Sequence, residues 1–441
     1  MGLIVLPTVI ALSKILAKLA IDLDKRPELV ANLTRRESVG GEEAVERVTL
    51  VESSANVIRE AFKKCLSERS GNISGIDNSG KPEGRRVGIY LTANICLKLF
   101  FHCKKLRSAE QIFGNIYQQS PPLALFPGAQ RVTFLYYLGR YLFANNHFFR
   151  AQLALQQAYN ECHTQSFNQR RLILIYLITS NLVLGRFAKP EVWQRPEASG
   201  LQSKYEPLYT TIKLGDLASF HQYLDIHGDQ AEWFLSKRIL LQIANRGITL
   251  VWRSLARRTF LLAGNEGDAA NRKAPTLALQ DLTTLACYLE KQAQSGESVS
   301  NGLQGGQAPR AVHTNSIFLR DDKPVTSAGT ETDYVDPDLA DVVEPTEPLL
   351  PGLEEVECVV ASLVEQNLLH GFMSHSSHRF AITGAKSAPA QQVGFPKVWD
   401  VLKAKANTEV PGWVKEKSGR NLGSGMVVNL SGARPAGAAP A

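Results

Sequence analysis

The 441 residues contain no C-x-x-C pair, no unbroken run of 18 apolar residues and no catalytic fingerprint of the common enzyme folds. The cysteines, Cys65, Cys96, Cys103, Cys162, Cys287 and Cys358, are scattered and lie mostly inside apolar helical patterns. They point to a reduced compartment and to thiols used as small core residues. The apolar opening of the chain is interrupted at Lys14 and Lys18, while Leu12, Ile15, Leu16 and Leu19 continue at helical spacing. It reads as a helix entering the fold, and no segment is expected to span a bilayer.

Enzyme chemistry is missing in the same way. G-x-S-x-G, H-E-x-x-H and a dinucleotide signature do not occur. Gly75-Ile-Asp-Asn-Ser-Gly80-Lys81 fills the first seven places of a phosphate loop, but Pro82 stands where a hydroxyl must reach magnesium. Proline also disfavours helix at Lys81. His102-Cys103 and Cys162-His163 are sequence neighbours, which does not make a catalytic dyad. His375 and His378 flank a short turn with no acidic or cysteine ligand adjoining, so contacts to solvent or backbone are expected there in place of a metal. No catalytic residue, metal or cofactor is expected.

What is present is a globular composition, 44% hydrophobic and 21% charged, in a chain long enough for more than one core. The net charge of +7 is unevenly spread: residues 321–357 hold twelve acidic side chains and one lysine, a local −11 that leaves +18 on the remainder. A basic body with one acidic segment suits polyanionic partners, or an internal strap across a basic surface.

Apolar residues recur at three and four throughout, in Val48, Val51, Ile58, Phe62 and Cys65 and again from Ile89 to Phe100. Phe134, Tyr137, Leu138, Tyr141 and Leu142 face Ala151, Leu155, Ala158 and Cys162 across an Asn145-Asn146-His147 turn, a helix hairpin of tetratricopeptide character. Residues 170–185 are apolar nearly all round and predict a sandwiched helix. Gly215 is placed to end one helix and Asp216 to cap the next. Helices are also expected over 248–262 and 276–289, and a helix starting at Leu353 precedes two short alternating runs, Phe372 to Ser374 and Arg379 to Ile382. Helix followed by hairpin has the shape of a winged helix.

The expected class is all-α: a right-handed α-solenoid of tetratricopeptide-like hairpins, followed by a C-terminal winged-helix module with a small β-hairpin. The solenoid is expected over 1–204, with a loop at 66–84. The second domain is expected over 205–384 with an acidic, disordered insertion at 292–350. A basic tail rich in Gly, Ala and Pro covers 385–441.

Basic groups mark the candidate interface. Arg253 and Arg257 share a helix face, with Arg258 beside them, and such like charges repel unless something negative lies opposite. The would-be recognition helix carries Glu354, Glu355, Glu357 and Glu365 with no Lys or Arg, so it should pack against protein and not enter a groove. Phosphate contacts are therefore expected from the wing and the segment C-terminal to it, through His375, His378, Arg379, Lys386, Lys397, Lys403 and Lys405.

Tyr136-Tyr-Leu-Gly-Arg-Tyr141, Phe149-Arg-Ala-Gln152, Asn168 to Tyr176, Leu184-Gly185, Lys213-Leu-Gly-Asp-Leu217, Val359 to Thr383 and Gly394-Phe-Pro396 together resemble the PCI-domain family. Within it they resemble the branch of the transcription-and-export complex PCI subunit and signalosome subunit twelve. The resemblance runs over roughly 85–290 and 351–400 and departs from the family at the N-terminal helices and in the long stretch between Leu289 and Leu353. It implies an α-solenoid capped by a winged helix without enzyme activity. The implied role couples transcription to mRNA export at the nuclear pore, in the nucleus and also the cytoplasm. The implied partners are a second PCI-domain scaffold protein, a small acidic wrapping protein, and RNA or DNA phosphates, with no membrane. A purely structural scaffold of a signalosome, proteasome-lid or initiation-factor type assembly is the other reading of the same residues.

Overall fold

In the computed structural model the described residues are 2–26, 28–29, 49–68, 75–77, 80–228, 230–268, 273–300, 352–385 and 389–405. They fall into two compact units, Met1–Asn181 with Ala188–Leu201, and Leu182–Phe187 with the chain from Gln202 onward.

The first unit is built of helix hairpins. Helix Gly2–Asp24 packs on helices Leu50–Leu66 and Ile89–His102. Its length and composition would allow it to cross a bilayer, contrary to the reading from the lysines. Leu6, Ser13, Ala17 and Ala20 are nevertheless buried against its neighbours, as in a solenoid helix, while Ile4, Leu12, Ile15 and Leu19 face outward. Thr49 caps the second helix, its hydroxyl accepting from the Glu52 N–H at 3.2 Å. Helices Gly128–Ala144 and Phe148–Glu161 form the hairpin expected from the apolar stripes. A Cβ on Gly139 would lie 2.5 Å from Leu155 Cγ, so the two axes can approach only with glycine there. Helix Phe167–Val183 buries every residue from Ile173 to Ile178, as an apolar helix with neighbours on several sides must. In its first turn Arg170 Nε donates to Glu197 Oε1 at 3.0 Å, and the Tyr159 hydroxyl donates to the same carboxylate.

At the near-phosphate sequence the Asp77 N–H donates to the Lys81 carbonyl at 2.8 Å and Ile76 bridges Pro82. Among the described residues Cys65, Cys96 and Cys162 are buried thiols, and burial pushes Cys96 up to about 12. Cys358 is exposed and does not share that role.

In the second unit the long helix Leu240–Ala263 packs against helices Gln202–Leu214 and Leu279–Ser300. The 213–217 turn is laid on it: Gly215 has φ +73°, and an added Cβ would sit 2.6 Å from the Leu255 nitrogen. Asp216 Oδ1 accepts from the Ser219 N–H at 3.1 Å, capping helix Leu217–Tyr223 as the sequence predicts. The winged helix is then assembled in chain order from β1 Thr276–Ala278, helix Leu279–Ser300, helix Leu353–Glu365, β2 Gly371–Ser374 and β3 Arg379–Ile382. The sheet has three strands in the order β1-β3-β2, all antiparallel, with Leu277 opposite Phe380 and Met373 opposite Phe380 from the other side.

Three sequence expectations change. Residues 276–278 are a strand, not the start of a helix, because their hydrogen-bond partner is β3, far along the chain. The helix expected to stop near Leu289 continues to Ser300, so the first residues of the expected insertion are helical; 301–351 lie outside the described residues. The tail begins as folded protein: helices Ala390–Val393 and Val398–Lys405 belong to the unit, with Phe395 and Val398 buried and Phe395 tilted against Phe260 at 5.7 Å.

Candidate nucleic-acid interface

Helix Leu353–Glu365 turns Val356, Val360 and Leu363 inward and leaves Glu354, Glu355 and Glu365 exposed. Its outward surface is acidic, which disfavours phosphate as the sequence implied. Glu357 differs from the other three: it stands in the apolar stripe and is buried.

The β2–β3 turn lies over that carboxylate. His378 closes the turn, its N–H donating to the His375 carbonyl at 3.2 Å, with φ +47°. Both imidazoles are aimed at Glu357, His375 Nδ1 at 2.6 Å from Oε1 and His378 Nδ1 at 3.4 Å from Oε2. The hydrogen bond from His375, aided by His378, holds the Glu357 carboxyl below its usual range against the opposing effect of burial. These histidines, expected to meet solvent, backbone or phosphate, are turned to an acidic group that the hairpin's own sequence lacks.

The arginines of the long helix separate by depth. Arg253 Nη2 donates to the carbonyls of Phe395, at 3.0 Å, and Pro396, tying the segment after the wing to the helix. Burial, with Arg257 nearby, pulls its guanidinium down to about 10. Its place is structural and not on a phosphate-facing surface. Arg258 Nη1 reaches the Leu214 carbonyl at 3.4 Å, at the end of helix Gln202–Leu214. Arg257 is exposed.

Past the wing, Lys405 Nζ donates to the Gln366 carbonyl at 2.8 Å, next to the C-terminus of helix Leu353–Glu365, where a cation offsets the helix dipole. Arg379, Lys397 and Lys403 are exposed; Arg379 lies in electrostatic reach of Asp281, whose carboxyl burial raises and Arg379 lowers. Lys386 lies outside the described residues. The candidate surface thus reduces to Arg257, Arg379, Lys397 and Lys403.

No family model matches the chain. Among curated proteins it is 28% identical over 274 residues to a PCI domain-containing protein of Schizosaccharomyces pombe, covering 62% of this chain and 57% of the relative. It is 33% identical over 226 residues to a CSN12 homolog of Gibberella zeae, covering 48% and 46%, and 23% identical over 250 residues to a PCI domain-containing protein 2 homolog of Dictyostelium discoideum, covering 56% and 54%. These curated relatives support a PCI-domain, signalosome subunit twelve-like family for the chain. The matches span about half the length of these curated relatives, and none of their names is that of an enzyme.

The residue that sequence reasoning missed is Glu357. Its signal was a charge inside the stripe Leu353, Val356, Val360, Leu363, where helical periodicity asks for an apolar side chain. By residue type alone it groups with three exposed glutamates.

Proposed function

We propose that the chain is a non-enzymatic scaffold subunit of a PCI-type assembly that couples transcription to mRNA export. In this reading it acts in the nucleus with a second PCI protein and a small acidic wrapping protein. Phosphates of RNA or DNA meet Arg257, Arg379, Lys397 and Lys403. The observation carrying this reading is the division of charge in the winged helix: an acidic outward helix face, and exposed cations on β3 and on the segment after it. Such a surface holds a phosphate backbone without reading bases.

The test is retardation of single-stranded RNA and of duplex DNA by the chain together with its PCI partner. Alanine at Arg257, Arg379, Lys397 and Lys403 together is expected to abolish retardation, and each single alanine to lower the salt slope by about one. No retardation at low salt overturns it. The purely structural scaffold is favoured by one finding, the internal use of Arg253, His375, His378 and Lys405. A nuclease-indifferent complex without retained RNA selects that reading.

A further inference from the structure

The sequence argued against metal at His375 and His378 because no third ligand adjoins them, and the fold supplies one. Glu357 comes from 18 residues upstream of His375 and lies beneath the turn, its side chain 11% exposed. A carboxylate costs free energy in such a position unless positive charge or hydrogen bonds compensate it. The left-handed backbone at His378 closes the turn so that both rings point to the same side, 5.6 Å between centroids. One ligand atom from each of the three residues falls within 4.8 Å of the others, a spread that one small cation can draw together.

We propose that Glu357, His375 and His378 form a site for one divalent transition-metal ion of the zinc class. Two imidazole nitrogens and a carboxylate oxygen are the ligands, and the open fourth position faces solvent beside His375, which is 83% exposed. Imidazole-rich donor sets select zinc, cobalt or copper over calcium and magnesium, which require cages of oxygen. The ion fastens the tip of the wing to helix Leu353–Glu365 and changes the charge beneath the wing from negative to positive. This inference rests on local geometry and stands whether or not the wing meets nucleic acid.

Cobalt(II) and zinc(II) are the probes, titrated near neutral pH into the full chain after chelator treatment. One equivalent of cobalt is expected to give visible ligand-field bands of a low-coordinate nitrogen and oxygen site, bleached by zinc, and zinc is expected to raise the thermal midpoint. Glu357→Gln and His375→Ala should each weaken zinc by at least about 100-fold, the upper end of what losing even an outer-shell partner costs. His227→Ala, at an exposed histidine elsewhere in the unit, should change nothing. Because His375 Nδ1 lies 2.6 Å from the buried Glu357 carboxylate, its alanine variant is expected to lower the midpoint in metal-free buffer. The readout is therefore the zinc-dependent rise above each variant's own metal-free midpoint, which should vanish in His375→Ala. Absence of a cobalt spectrum and of a zinc-dependent midpoint in the unaltered chain overturns the proposal, independently of how any variant folds. Undiminished binding in a His375→Ala/His378→Ala double variant overturns it equally.

Discussion

The hairpin 128–161 of the first unit and the winged helix of the second are organised on different principles. In the hairpin, contacts follow the helical period: Phe143 stacks edge-on against Phe148 and Tyr176, and Gly139 admits Leu155. In and around the winged helix, the decisive contacts join residues with no periodic relation: Arg253 of the long helix to a carbonyl 142 residues away, Lys405 of the last described helix to the end of another helix, Glu357 to two histidines of a turn. Periodic packing is redundant, since many apolar side chains share it, whereas each long-range polar contact depends on two partners.

The hairpin side of this contrast is broken most severely by Phe143→Ala, at a residue 1% exposed; about 3–5 kcal/mol of stability should be lost, read as a lowered denaturant midpoint. Next comes Glu197→Gln in the same unit, a through-space contact inside the periodic region, which leaves the Arg170 cation uncompensated. About 3 kcal/mol is expected, with side-chain exposures of only 13% and 4% in the pair. Burial alone would raise the Glu197 carboxyl, but hydrogen bonds from Tyr159, its own backbone N–H and Arg170 hold it below the ordinary 4.5. Its contribution is therefore complete above that value and lost as pH falls through the depressed folded one. The variant's deficit should shrink accordingly in acid, which a pH series of unfolding midpoints checks.

In the second unit, Gly215→Ala forces a side chain into left-handed backbone against Leu255 and should cost about 2 kcal/mol, measured by thermal unfolding. The smallest effect is Asp216→Ala, the loss of one cap, at about 1 kcal/mol, with Asp216→Asn restoring most of it. A deficit for Asp216→Ala larger than that for Phe143→Ala would erase the contrast.

Legibility in the sequence divides along the same line. The hairpin, the sandwiched helix at 167–183, the cap at Asp216 and the two strands of the wing could all be read, because each is written in neighbouring residues. β1 could not, since three residues carry too little alternation and their partner strand is distant. At the candidate interface, residue type marked the cations, but only the fold separates Arg257, Lys397 and Lys403 from Arg253 and Lys405, which donate to carbonyls. Glu357 was hidden for the same reason, its partners being defined by a turn and not by spacing.

The last described helix carries a consequence for where this protein can be cut. Val398 fills the space over Gly185, Trp399 lies under the Arg186 guanidinium at 4.3 Å, and Lys405 ends on the carbonyl of Gln366. The first and last described segments of the second unit are thus fastened to each other. A truncation after Ile382 would keep every described strand yet strip Phe260 of its Phe395 neighbour and leave Gly185 and Arg186 without their cover. A version of this module that keeps these three contacts has to run through Lys405.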